Sequence, residues 1–234
     1  MARANETLYR QFYREVFTPA LAPFQFARVG QQNVWRKDTT GGLVQLIGAA
    51  AGWLGGRREL EWDIFVPGLD DLMRGDGPPL PLGGRIALGY CHVSGRVSDL
   101  IRPEVLADRS ELTGDFELTP DQTVEDRRQL EQRVLATLRL FASSLESLQS
   151  LEDVLKLLTL TDPAGKRRFM PSRTLTPVYA AGIAIIARSP DLQRVIASLE
   201  AARSDWGTLQ SGFPSGRHVW GLVADRLLQA AQVC

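Results

Sequence analysis

The chain has 234 residues, enough for one large domain or two small ones. Apolar residues make up 44% and charged residues 23%, a balance typical of a folded protein and not of a disordered one. Lysine plus arginine (27) equals aspartate plus glutamate (27), so there is no net charge to attract nucleic acid or an anionic membrane.

The first element along the chain is predicted to be an amphipathic helix. Asn5 can cap it, and apolar residues recur every fourth position at Leu8, Phe12 and Val16. Pro19 lacks a backbone N–H, so we expect the helix to end there. The apolar period then changes toward two, which predicts a sheet.

A β-hairpin is predicted next. Asn33 to Arg36 and Leu43 to Ile47 flank Asp38 to Gly42, a turn-forming stretch of hairpin length. A third strand, Glu59 to Val66, alternates apolar with mostly charged residues, so one face is expected to be buried. A fourth strand, Ile86 to Val97, follows a proline-rich loop.

Helices are predicted from Thr119 to the end of the chain. Thr123 with Asp126 forms a capping box before a long amphipathic helix, and Ser150 with Asp153 opens a shorter one. The last third is predicted to form three helices, Pro177 to Arg188, Leu192 to Arg203 and about Arg217 to Ala231.

The predicted fold class is therefore α+β, with an N-terminal helix and a mainly antiparallel four-stranded sheet followed by a helical C-terminal half. We expect three regions. Residues 1–119 form the sheet region, residues 120–160 a long and a short helix packed on the sheet, and residues 170–234 a helical extension.

Several short motifs of strands and turns lie between Leu8 and Leu158. They are Phe24-Gln25-Phe26, Asn33-Val34-Trp35-Arg36, Leu43-Val44-Gln45-Leu46-Ile47, Asp63-Ile64-Phe65-Val66-Pro67-Gly68, and Cys91-His92-Val93 with Arg96-Val97. Together these motifs resemble a bacterial family of small cytosolic proteins, the domain of unknown function numbered 4304. The resemblance implies an α+β fold and no activity, because the family brings none.

Motifs for metals, nucleotides and hydrolase nucleophiles are missing. The chain has two histidines and two cysteines without His-Glu-x-x-His or Cys-x-x-Cys spacing, so we expect neither a transition-metal site nor a cofactor. Gly-x-x-x-x-Gly-Lys and Gly-x-Ser-x-Gly are also absent from the sequence.

Cys91 and His92 are the one pair that suggests a nucleophile, since a thiolate beside an imidazolium is reactive. Neighbouring residues on a strand point to opposite faces, which favours a structural interpretation. Cys91 is then a small buried residue and His92 is hydrogen-bonded near the sheet edge. His92 is kept as a catalytic candidate.

Glu59, Glu61 and Asp63 share one face of the third strand, about 7 Å apart at successive positions. Carboxylates at this spacing can hold a hard cation or transfer protons. The alternative is a set of solvated positions that pair with arginines such as Arg36. Asp63 is the first to test, because aromatic neighbours are expected to limit its access to water.

Lys166, Arg167 and Arg168 form a basic segment that suggests a phosphate or RNA contact. The neutral net charge favours an ordinary solvated loop instead.

Trp53 stands among glycines, where a large apolar side chain is expected to need a cover. We predict that Trp53, with Trp35 and the acidic face of Glu61 and Asp63, borders the principal concave surface, where a ligand or protein partner docks. In the alternative, Trp53 fills the space between the sheet and the C-terminal helices.

Because no catalytic constellation is recognised in the sequence, we favour a non-enzymatic binding or protein-interaction module. The alternative is a divalent-metal-dependent hydrolase or nuclease that uses the strand carboxylates. Met1 to Val16 lacks the apolar core of a secretory signal, and the longest apolar run, Val178 to Ala187, is about half a membrane span. We therefore expect a cytoplasmic protein that binds neither nucleic acid nor membranes.

Overall fold

The computed structural model describes residues 2–30, 33–51, 57–75, 86, 91–96, 112–159, 175–206 and 214–233. The helices are α1 (Ala2–Phe12), α2 (Thr18–Leu21), α3 (Leu69–Arg74), α4 (Val124–Glu146), α5 (Leu151–Thr159), α6 (Leu175–Ala187), α7 (Leu192–Trp206) and α8 (Pro214–Ala231). The strands are β1 (Ala27–Arg28), β2 (Val34–Asp38), β3 (Val44–Ala51), β4 (Arg57–Phe65), β5 (Val93–Arg96) and β6 (Asp115–Glu117). This architecture confirms the predicted α+β fold class.

The N-terminal helical segment continues past Pro19, where the prediction ended it. A π-helical segment, Tyr13–Phe17, joins α1 to α2, and the N–H of Thr18 donates to the Tyr13 carbonyl five residues back. Pro19 then lies in the first turn of α2, where a missing N–H is tolerated. A 3₁₀ turn, Ala22–Phe24, ends the segment.

The six described strands form one antiparallel sheet in the order β1-β2-β3-β4-β5, and β6 also pairs with β4. The predicted hairpin is confirmed, with Asp38 opposite Val44 at the turn. The short strands β1 and β6 were not predicted, because two or three residues carry no periodic pattern. Within the predicted fourth strand, Val93–Arg96 form β5 and Ile86, Cys91 and His92 are bends, while residues 87–90 and 97 lie outside the described residues.

The helical half contains the predicted caps. Thr123 Oγ1 accepts from the N–H of Asp126 at 3.1 Å, and Ser150 Oγ accepts from the N–H of Asp153 at 3.3 Å. Gln45 of β3 ties the sheet to α4, because its side-chain amide donates to carbonyls at the end of that helix. No helix in the described ranges is both long and apolar enough to cross a membrane.

One hydrophobic core contains residues from all three predicted regions, for example Phe12, Phe141 and Leu227. The sheet contributes the side chains that alternate toward the helices, including Trp35 and Trp62. A second, smaller cluster lies around Val44, Leu46 and Cys91.

Candidate functional site

Four of the predicted site residues, Trp53, Lys166, Arg167 and Arg168, lie outside the described residues. Their proposed roles stay predictions.

Trp35 is buried, although it was predicted to border a concave surface. Its ring stacks on Phe17 with centroids 4.9 Å apart, and its indole N–H donates to Thr18 Oγ1 at 3.4 Å. The side chain takes this position because Trp35 pairs with Ile47 and points with it into the main core. Trp35 is therefore a core residue.

The acidic residues of β4 do share one face, as the alternation predicts. They lie opposite Ala50, Gly48 and Leu46 of β3. Glu59 pairs with Arg96 at 2.9 Å, whereas Arg36, the partner suggested by the sequence, bridges to Asp38 at 2.8 Å. The ion-pair partner of Glu59 therefore lies on β5.

The carboxylates of Glu61 and Asp63 lie in different environments. Asp63 is fully buried between Leu46 and Ser94 of the neighbouring strands. Burial, and then the negative charge of Glu59, raise the pKa of Glu61 above its ordinary value, while Arg96 opposes this shift. Among the described residues, no three His, Cys, Asp or Glu side chains are grouped so that they could hold a metal ion.

His92 is fully buried and uses both ring nitrogens. The backbone N–H of Val66 donates to Nδ1 at 2.9 Å, so the proton must lie on Nε2, which is 3.0 Å from Asp70 Oδ1. The imidazole therefore accepts from the end of β4 and donates to α3. Neither nitrogen is available to the thiol of Cys91.

The surroundings of His92 keep it neutral. Its ring lies 4.9 Å from that of Phe65 and 5.9 Å from that of Tyr179. Burial lowers the pKa of His92 below its ordinary value, and the hydrogen bond and charge of Asp70 only partly oppose this. Burial, with the nearby charge of Asp70, also raises the pKa of Tyr179 to about 12. This network connects the end of β4, the bend before β5 and α3, and its role is structural.

A site that the sequence analysis missed is a cleft between α1 and the end of β1. It has a volume of about 430 Å³, within the size range of small-molecule sites. Three of the described residues that line it are arginines; the full set is Thr7, Arg10, Gln11, Arg14, Arg28 and Gly30. We call it the arginine cleft.

Arg10 and Arg14 of the cleft make only weak ion pairs with their neighbours, whereas Arg28 also donates to Asn33 Oδ1 at 3.5 Å. Arg10 pairs with Glu6 at 2.6 Å and Arg14 approaches Glu15 at 3.7 Å, but both pairs are exposed, and such pairs contribute about 0–1 kcal/mol. Arg28 is half-buried, and its guanidinium lies 5.7 Å from the centre of the Trp35 ring. An anion with several oxygens can therefore compete with Glu6 and Glu15 for Arg10 and Arg14.

Gly30, which also lines the cleft, has φ 54°, a conformation that glycine adopts most easily.

Part of the arginine cleft is encoded in the sequence of α1 and the π-helical segment that follows it. Arg10 and Gln11 lie three and four residues after Thr7 and four and three residues before Arg14, spacings that place the four side chains on one helix face. The contribution of Arg28 depends on the packing of β1 against the helix, and no local pattern predicts that.

The described residues thus hold a satisfied histidine network and a basic cleft. The resemblance to the family numbered 4304 stays a prediction from its motifs. The chain matches no protein-family model, no curated protein and no solved structure.

Proposed function

We propose that the protein is a non-enzymatic binding protein whose arginine cleft takes a small phosphate-bearing ligand. The observation that carries the proposal is the convergence of Arg10, Arg14 and Arg28 on one cleft. Guanidinium groups present paired N–H donors that match the oxygens of a phosphate. The amide of Gln11 and the hydroxyl of Thr7 add uncharged donors beside them.

The form of the cleft favours a small ligand over a polymer. The chain as a whole is neutral, so it has no net positive charge to attract a nucleic-acid backbone, whereas this cleft concentrates three arginines. Three arginines in a cleft of this size suit a compact anion.

Isothermal titration of the full chain with inorganic pyrophosphate tests this function. We expect saturable binding that weakens as salt is raised. Arg28→Gln should reduce the affinity by on the order of tenfold or more, since hydrogen bonds to charged groups contribute about 1.5–3 kcal/mol.

Arg194→Gln is the matched control, because Arg194 is an exposed helix arginine that pairs with Asp191 away from the cleft. It should bind like the wild type. The proposal fails if the wild-type chain shows no saturable binding, or if Arg28→Gln binds pyrophosphate as tightly as the wild type does.

A further inference from the structure

Two glutamates beside the arginine cleft engage the donors that line it. Arg10 Nη2 donates to Glu6 Oε1 at 2.6 Å. The side-chain amide of Gln11 donates to Glu15 Oε1 at 3.0 Å, and the same carboxylate oxygen lies 3.7 Å from Arg14 Nη2. Neither glutamate is among the described residues that line the cleft, whereas all three of their partners are.

The helical segment holds both carboxylates next to these donors. Glu6 stands four residues before Arg10, and side chains at this spacing meet on the surface of a helix. Glu15 reaches back four residues to Gln11 in the same way. Each carboxylate is therefore a tethered competitor, whose effective concentration at the cleft is on the order of millimolar. A phosphate must displace the carboxylate before it can use the same donor.

Both glutamate side chains can leave these positions without disturbing the core. The exposed fraction is 61% for the side chain of Glu6 and 47% for that of Glu15, so a rotation moves each carboxylate into water. An exposed ion pair changes an equilibrium by at most a factor of about five. The two pairs are thus strong enough to weaken ligand binding measurably and weak enough for a ligand to break.

We infer that Glu6 and Glu15 inhibit the arginine cleft of the free chain and are displaced when a phosphate binds. The inference rests on the proposed function and adds how its site is regulated. In the complex, the two carboxylates turn into solvent, and Arg10, Gln11 and Arg14 donate to phosphate oxygens instead. The glutamates thereby lower the affinity for every anion that uses these donors.

Isothermal titration of pyrophosphate into the full-length variants Glu6→Gln and Glu15→Gln tests the inference. Glutamine has nearly the shape of glutamate but no charge, so it competes less well for a guanidinium group. Each substitution should raise the affinity about two- to fivefold. The melting temperatures should stay close to that of the wild type, because exposed ion pairs contribute little to stability.

A double-mutant cycle shows whether Glu6 acts through Arg10. If Glu6 inhibits binding by holding Arg10, its removal gains nothing once Arg10 is replaced. The affinity of Arg10→Gln for pyrophosphate should therefore be the same with and without Glu6→Gln. A general effect of negative charge near the cleft would instead leave the gain from Glu6→Gln in place, and that result would overturn the inference.

Asp191→Asn is the matched control, since it removes one negative charge from an exposed helix pair, that with Arg194, away from the cleft. Its affinity for pyrophosphate should equal that of the wild type. If Glu6→Gln and Glu15→Gln bind no more tightly than the wild type, the glutamates only stabilise the helix and the inference is overturned, while the binding itself upholds the proposed function. If the wild type shows no saturable binding, the proposed function fails and the inference fails with it.

Discussion

Replacing His92 is expected to destabilise the fold, because it removes two hydrogen bonds. The bond from Val66 is buried, and the bond to Asp70 is partly exposed. In His92→Leu, the N–H of Val66 loses its acceptor inside the core, which costs about 1–3 kcal/mol. Asp70 also loses a donor, but its side chain is 31% exposed and water replaces that bond at little cost. We expect a total loss of about 2–3 kcal/mol, measured as a lower urea midpoint with an unchanged slope.

His92→Asn separates the two contributions. Its side-chain oxygen can occupy the position of Nδ1 and accept from Val66, whereas it cannot reach Asp70. The loss in stability should therefore be clearly smaller than in His92→Leu. Equal destabilisation by the two substitutions would refute the argument, because it would mean that the Val66 bond is not what His92 contributes.

The same residue should make stability depend on pH. The pKa of His92 is lower in the folded chain than its ordinary value of 6.5, so below pH 6.5 the unfolded state binds more protons. Stability is then complete above pH 6.5 and falls as the pH drops toward the folded pKa, by up to about 1.4 kcal/mol per pH unit. Urea midpoints of wild type and His92→Asn should diverge at neutral pH and converge in acid. Parallel curves would contradict the assignment.

Three glycine-to-alanine substitutions test close packing. Gly182→Ala places a methyl group against Leu69 of α3 and should cost about 1–3 kcal/mol in thermal unfolding. Gly221→Ala, whose methyl group meets no atom of the described residues within 4 Å, should be neutral or stabilising. Gly41→Ala places a methyl group against the backbone carbonyl of Gln149. Because backbone moves less easily than a side chain, Gly41→Ala should lower the melting temperature more than Gly182→Ala does. A small effect at Gly41 would mean that the hairpin turn can shift away from the helices.

The elements with long, regular patterns were predictable from the sequence. The alternation of β4 and the capped helices α4 and α5 were correctly identified, because burial on one face and a capping side chain leave local signals. The continuation past Pro19 was missed, since the π-helical segment that accommodates the proline has no sequence signature. The short helix α3 was missed for a related reason, as only Gly68, with φ 79°, marks its start.

The candidate sites were harder to predict because each depends on residues far apart in sequence. His92 could be recognised as a strand-edge residue, but its partners Val66 and Asp70 belong to a different part of the chain. Trp35 was placed on a surface because tryptophans of core and rim look alike in sequence; only the pairing with Ile47 turns it inward.

The state of the hydrogen bonds separates the two polar clusters more clearly than residue type does. A histidine beside an aspartate resembles catalytic machinery. Both ring nitrogens of His92, however, are already hydrogen-bonded, one to Val66 and the other to Asp70, so neither can exchange a proton with a substrate. Arg10, Arg14 and Arg28 resemble ordinary surface arginines, yet they line one cleft, and the ion pairs of Arg10 and Arg14 are exposed. Since exposed ion pairs contribute little to stability, whereas the His92 network is already satisfied, binding is the more reasonable role for the arginine cleft.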